Sequence, residues 1–373
     1  MSAASHAGKQ HPEGQSSGIV KKVLHLMLLF VPLALIVDLT GGDQGLVFVF
    51  AALGIIPLAD FIGEATEELT AYTGPRLGGL LNATLGNAAE LIITTFAIRE
   101  GLLALVLASI TGSILGNLLL VLGFSLLLGG LRNGIQTFDK RQASLNSTLL
   151  ILAVVALMIP SLFDVAFEGA NEAETGAELA FSESVAVVMI VLYGLTILYS
   201  FRTRKTGIDR DAIVHEARWS VRLSVAVLIA ATIGTVLMSE VLVGAVEHVT
   251  ASLGLSEFFL GIIIIPLVGN VAEHLVAVEV AIKNRMELSL AVSLGSSLQI
   301  ALFVAPVLVF VSLLFGERLL LVFSGFELIA LAAASLIAAF IAQDGESNWL
   351  EGAMLLAVYL VIAIAFFFIP VHG

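Results

Sequence analysis

Residues 102–129 run for 28 positions without a charged side chain, and residues 288–315 do the same. Such runs are long enough to cross a bilayer, for which about 20 apolar residues in a helix suffice. In lipid every backbone N–H and C=O must be satisfied inside the protein, so only helices or a closed barrel can span. Barrel strands would alternate in polarity over about ten residues. These runs do not alternate, so they are read as helices. Nine further apolar segments fit the same reading, giving 22–39, 45–73, 78–98, 102–129, 143–163, 182–201, 218–248, 256–282, 288–315, 319–341 and 348–371. The expected fold is an all-α polytopic membrane protein with eleven transmembrane helices. Only 13% of the 373 residues are charged, against about 25% in soluble domains, which excludes a soluble enzyme. The absence of cysteine removes disulfides, thiolate metal sites and a cysteine nucleophile. A formal charge of −13 makes nucleic acid an unsuitable partner.

Residues 1–21 are polar and are expected to form a disordered cytoplasmic tail; no signal-peptide cleavage pattern comes after the first apolar run. Alternating the loops from that tail puts fifteen basic residues on one side of the membrane, from Lys9, Lys21 and Lys22 through Arg285, and only Arg99 and Arg318 on the other. Positive charge collects on the cytoplasmic side. The N-terminus is therefore expected inside and the C-terminus outside, in a plasma (inner) membrane.

Gly86-Asn87-Ala88-Ala89-Glu90 recurs as Gly269-Asn270-Val271-Ala272-Glu273, an offset of 183. The same offset carries Gly112-Ser113 onto Gly295-Ser296, Leu115 onto Leu298, Gly78 onto Gly261 and Glu64 onto Glu247. The organisation expected is transmembrane helix 1 (22–39), a five-helix repeat (45–201), a basic cytoplasmic loop (202–217) and a second five-helix repeat (218–371). Five is odd, so the second repeat enters the membrane from the opposite side. Inverted-topology repeats characterise secondary transporters that alternate access around a midplane site.

Glu90 and Glu273 each fall near the middle of an apolar segment, where an ionised carboxylate costs several kcal/mol. No Lys or Arg lies in the interior of those segments. The pair must therefore hold protons or a cation, and occupants competing for the same oxygens would make a cation/proton exchanger. Ca²⁺ takes about six to eight oxygen ligands, more than two carboxylates supply. Asn87 and Asn270 share a helical face with their glutamates. Gly86 and Gly269, with Pro266 beside the second, mark where a helix could open and offer carbonyls. Ser113, Asn117, Ser296 and Gln299 are the polar side chains of otherwise uncharged helices; single ones commonly serve as interhelical hydrogen bonds. His274 comes directly after Glu273, and the repeat places Leu91 at the matching position; a proton relay, a selectivity element and simple packing all remain open for it. Asp60, Glu64, Glu67 and Glu68 line one end of the second segment, and Glu240 and Glu247 share a face of the seventh. They are read as cation-attracting entrances on the two sides.

The motifs Gly86-Asn87-Ala88-Ala89-Glu90-Leu91-Ile92 and Gly269-Asn270-Val271-Ala272-Glu273-His274 closely resemble those of the calcium/proton exchanger (CAX) branch of the calcium/cation antiporter superfamily. So do Ala65-Thr66-Glu67-Glu68-Leu69 and the stretch from Gly295 to Val304. The resemblance implies an eleven-helix fold with inverted five-helix repeats. It also implies exchange of cytosolic Ca²⁺ for protons, with Glu90 and Glu273 as shared ligands and Asn87, Asn270, Ser113, Ser296 and Gln299 near the cation site. Sodium/calcium exchangers carry a Ser/Thr-rich motif with Pro before the acid; Ala89 and Ala272 stand there instead. The expected function is Ca²⁺/H⁺ antiport, with Ca²⁺ as transported ion, no cofactor, the lipid bilayer as partner and homo-oligomerisation open. The rivals are a Na⁺ or K⁺/H⁺ antiporter of the same fold and a divalent-cation channel. An intramembrane hydrolase is disfavoured by the lack of His-Glu-x-x-His, Gly-x-Ser-x-Gly and cysteine.

Overall fold

The apolar runs fold as helices throughout the computed structural model, which describes residues 15–166, 172–203 and 217–368. The first 14 residues of the polar tail and most of the basic loop, 204–216, lie outside the described residues. In chain order the helices are α1 (Gln15–Met27), α2 (Phe30–Leu39), α3 (Gln44–Leu85), α4 (Ala88–Arg99), α5 (Leu103–Leu115), α6 (Leu122–Asn133), α7 (Lys140–Ala166) and α8 (Glu172–Thr203). They continue as α9 (Val221–Gly244), α10 (Val246–Leu253), α11 (Glu257–Phe259), α12 (Ile265–Ile282), α13 (Met286–Gln299), α14 (Ala305–Leu314), α15 (Gly325–Asp344) and α16 (Trp349–Phe368). One antiparallel pair of two-residue strands, β1 (Gln136–Thr137) and β2 (Glu346–Ser347), staples the loops after α6 and α15.

Among the described residues, ten helical stretches are long and apolar enough to cross a membrane, rather than eleven. The difference is the segment expected at 78–98. It is cut at Gly86 and Asn87, where the Asn87 backbone leaves the helix at φ −100°, ψ 19°, so α4 is only 12 residues long. The part before the cut is the end of α3, set off by Gly74 at φ +77°, ψ 171°. That left-handed φ suits glycine and is costly for a side chain. Pro75 is next in the sequence, and Pro cannot continue the preceding hydrogen-bond ladder.

A second difference concerns the helix expected from residue 319. It begins at Gly325, capped by Ser324 in a reciprocal capping box with Glu327. Residues 317–324 instead run outside any helix with Leu319, Leu321 and Phe323 buried. Their backbone is satisfied from neighbouring helices: Leu321 N–H donates to Ser182 Oγ at 3.3 Å and Phe323 N–H to Ser161 Oγ at 2.9 Å. Apolar composition alone could not distinguish this buried extended stretch from a helix.

Three π-helical turns interrupt the rods, at Gly116–Val121, Leu260–Ile264 and Ile300–Val304. The first and third lie one repeat offset apart, just beyond Ser113 and Ser296. A π turn adds a residue to the helix and rotates the residues beyond it. α3 packs along α9, α2 lies on α3, and α12 sits between α3 and α6, with α5 against the Leu260–Ile264 turn.

That last contact is a backbone-to-backbone approach. A Cβ on Gly112 would fall on the carbonyl of Ile262, and one on Gly261 would lie 2.7 Å from the Leu105 carbonyl oxygen. Small residues let membrane helices pack this closely. Gly112→Val is expected to lower stability by about 1–3 kcal/mol and to reduce transport, read as detergent-solubilised Tm and uptake rate. Gly194→Ala, where nothing lies within 4 Å, is the control. An unchanged Tm in Gly112→Val would refute the close approach.

Candidate cation site between the two motifs

α4 opens at the Gly86–Asn87 break, which places Glu90 in its first turn. The positive end of a helix dipole favours a carboxylate there. Glu90 is only 1% exposed. The Ser113 hydroxyl of α5 donates to Glu90 Oε1, and Asn270 Nδ2 of α12 donates to Ser113 Oγ at 3.3 Å. Asn87 Nδ2 donates to Gln299 Oε1 at 2.6 Å, and Asn117 Nδ2 donates to Ser296 Oγ at 3.1 Å. Ser296 also lies near the Glu273 carboxylate. Glu90 and Glu273 are close enough to interact electrostatically. Each motif glycine faces the other motif's acid. A Cβ on Gly86 would lie 3.3 Å from Glu273 Oε1, and one on Gly269 would lie 3.8 Å from Glu90 Cβ.

The structure thus brings together Gly86, Asn87, Glu90, Ser113, Asn117, Gly269, Asn270, Glu273, Ser296 and Gln299, from five helical pieces and the break before α4. Asn117 sits inside one π turn and Gln299 directly precedes another. Neither has a polar repeat counterpart, since the offset places them on Ile300 and Gly116. Gly269 departs from expectation in one respect. α12 stays helical through it, and the distortion falls upstream in the Leu260–Ile264 turn ahead of Pro266. Its carbonyl therefore stays within a continuous helix, and a Cβ on it would meet Glu90 at ordinary van der Waals range.

Three buried oxygens in this cluster have no protein hydrogen-bond partner: Glu90 Oε2, Glu273 Oε2 and Asn87 Oδ1. Buried polar atoms are nearly always paired, so three orphan acceptors in one cluster offer places for protons or a hard cation. No ion pair among the described residues involves Glu90 or Glu273. Nor do the described residues contain a cluster of three His, Cys, Asp or Glu able to hold a metal. Any cation here would rest on two carboxylates and neutral oxygens. His274 Nε2 is also buried without a partner, beside the pair in sequence.

The halves flanking the site differ. Leu77 and Leu80, before the first motif, are 57% and 44% exposed, whereas the matching positions in the second repeat, Leu260 and Ile263, lie in or against the core. Glu273 is partly exposed while Glu90 is sealed. The Leu260–Ile264 side of the site is packed against the core, whereas Leu77 and Leu80 on the other side are not covered by it.

The acids read as entrances have more partners than their sequence suggests. Lys21 Nζ pairs with Glu64 Oε1 at 2.8 Å, with Asp60 beside the pair. Arg99 pairs with Glu240 Oε1 at 3.0 Å. Lys21 and Arg99, which the sequence shows only as topology markers, are thus also ion-pair partners. Glu67 and Glu247 are exposed. Glu68 is buried, and its Oε2 accepts from the backbone N–H groups of Arg218 and Trp219. Trp219 is the site-region residue that sequence reading passed over. It carries no charge, its partner is 151 residues away, and its backbone makes the contact, so no pattern could have found it.

Residues 44–202 and 223–368 match the sodium/calcium exchanger protein family. A Ca²⁺/H⁺ antiporter of Aphanothece halophytica is 48% identical over 361 residues, covering 92% of this chain and 96% of that protein. The Ca²⁺/H⁺ antiporter ChaA of Bacillus subtilis is 44% identical, covering 90% of this chain and 96% of its own. The solved structure of native YfkE superposes with a TM-score of 0.81 at 42% identity, covering 93% of this chain and all of that one.

Proposed function

This chain belongs to the sodium/calcium exchanger family, and we propose that it is a multi-pass Ca²⁺/H⁺ antiporter exporting cytosolic Ca²⁺ in exchange for protons. The observation that carries the reading is the set of orphan oxygens on Glu90, Glu273 and Asn87, with no cationic side chain among the described residues paired to either acid. Oxygen-only ligands suit a hard cation. Two carboxylates lacking a fixed counter-charge must be filled by Ca²⁺ or by protons, which makes the two substrates mutually exclusive. The names of the two antiporter relatives point to the same pair of ions. Nothing in the site favours a sodium or potassium antiporter over this reading.

The cycle is a consequence of that exclusivity. With the site facing the cytosol, Ca²⁺ displaces protons from Glu90 and Glu273. α3 and α9 then move against α4, α5, α12 and α13, and protons displace Ca²⁺ outside. Crossing empty and doubly ionised is prohibitive, because uncompensated buried charges are strongly destabilising. That penalty enforces coupling. The positive-inside bias puts residues 75–85 on the cytoplasmic side of a plasma membrane, with the N-terminus inside and the C-terminus outside. In that orientation the outer side is the packed one, where Gly112 and Gly261 seat α5 against the Leu260–Ile264 turn.

The test is uptake of radiolabelled Ca²⁺ into proteoliposomes with an acid interior. Uptake that collapses with a protonophore supports antiport. Uptake indifferent to the pH gradient would make the protein a leak or a sodium-coupled carrier.

A further inference from the structure

We propose that Glu68 and Tyr72 are positioning residues that clasp the start of α9 to α3. Residues 44–73 of α3 and α9 then move as one body, and the swing of residues 75–85 is confined to Gly74. The inference rests on the exchange reading above and deepens it, since it identifies what holds the moving pair together.

Three hydrogen bonds build the clasp. Glu68 Oε2 accepts from Arg218 N–H at 2.7 Å and from Trp219 N–H at 3.0 Å, and the Tyr72 hydroxyl donates to the Trp219 carbonyl at 2.7 Å. Ser220 comes immediately after as the N-cap of α9, its side chain accepting from Leu223 N–H. The Glu68 carboxylate therefore stands at the N-terminal end of α9, where the unpaired N–H groups and the helix dipole favour negative charge. Glu68 is 1% exposed, unlike its neighbour Glu67, so it is drawn into the protein rather than presented to incoming cations.

The placement along α3 gives the clasp its function. Glu68 and Tyr72 lie six and two residues before Gly74, where α3 bends at φ +77°. Residues 44–73 are thus held along α9, whereas Leu77 and Leu80 beyond the bend are largely uncovered by protein. A hinge needs one side fixed, and the clasp fixes it. The opposite face of the protein has no equivalent at the matching positions. The repeat offset places Glu68 on Ala251 and Tyr72 on Leu255, neither of which has a polar side chain. The sequence linking the two repeats also ends at this clasp, so the chain between them is anchored to the moving pair.

Two readouts test it. The chain has no cysteine, so spin labels can be placed at will. With labels on Thr73→Cys and Leu223→Cys, the distance should stay constant when Ca²⁺ is added. With labels on Leu80→Cys and Leu223→Cys it should shift. Glu68→Ala should broaden the first distance. This readout needs no transport, so it separates failure of the clasp from failure of the exchange reading. In proteoliposomes, Glu68→Ala should lower the maximal exchange rate about tenfold with the KM for Ca²⁺ little changed. Glu68→Gln, which keeps an acceptor oxygen but no charge, should restore most of the rate. A first distance that shifts as much as the second would overturn the proposal. So would Gln and Ala variants that raise the KM alike, since that is the behaviour of an entrance carboxylate.

Discussion

Ca²⁺ uptake falls to the protein-free liposome background in Glu90→Gln and in Glu273→Gln, while both variants still insert and elute as folded protein. The expectation rests on the charge each acid contributes. A carboxylate about 2.4 Å from Ca²⁺ has a gross attraction on the order of 14 kcal/mol at an effective dielectric of about 20. Dehydration of the ion cancels most of it, yet a surviving fifth corresponds to about a hundredfold in affinity. Gln also cannot deliver a titratable proton, so the return half of the cycle fails as well. Folding should survive because Gln keeps the shape and an acceptor for the Ser113 hydroxyl that Glu90 now accepts from. Removing a buried charge that has no ion-pair partner also relieves a cost rather than creating one. Exchange at the wild-type rate in either variant would refute the site.

The apparent KM for Ca²⁺ on the loading side should fall steeply as the pH on that side rises. Ligand oxygens must be deprotonated to hold a metal, so binding releases protons. Where the pair is protonated, each displaced proton contributes about a tenfold change in KM per pH unit, and two contribute about a hundredfold. The sign is fixed by competition: higher pH empties the oxygens of protons and favours Ca²⁺, and acid on the far side drives its release. A KM that stays flat at every pH where the protein remains folded would mean that Ca²⁺ and protons do not share Glu90 and Glu273. The Gly112→Val effect on Tm probes a different part of the molecule, the sealed side of the site, and should not carry this pH dependence.

Much of the candidate site is legible in the sequence. Glu90 and Glu273 stand out because charge in an apolar helix is expensive and two such residues share an identical Gly-Asn context. Ser113, Ser296, Asn117 and Gln299 stand out as the polar side chains of uncharged runs, and the structure brings all of them into hydrogen-bonding range of one another, of Asn87 or of the acids. The way they meet was not legible. Asn117 lies inside a π turn and Gln299 at the edge of another, and a π turn has no hydropathy signature. Glu68 was indistinguishable from Glu64 and Glu67 as one acid in an acidic helix end. Its burial depends on two backbone N–H groups supplied from beyond the first repeat.

By itself the sequence determined what each residue costs in lipid: uncharged 28-residue runs must be helices, basic loops select a side, and two lone carboxylates demand an occupant. These are properties of single residues against a solvent, summed along the chain. Only the tertiary structure decided which half of the protein is docked and which is not. Gly78 and Gly261 occupy matching positions, yet Gly261 seats against Leu105 of α5 while Gly78 faces Thr70 of its own helix. Near-identical motifs cannot encode that difference, because it is set by contacts between residues far apart in the chain. In an alternating-access protein the two arrangements must also lie within a few kcal/mol of each other to exchange.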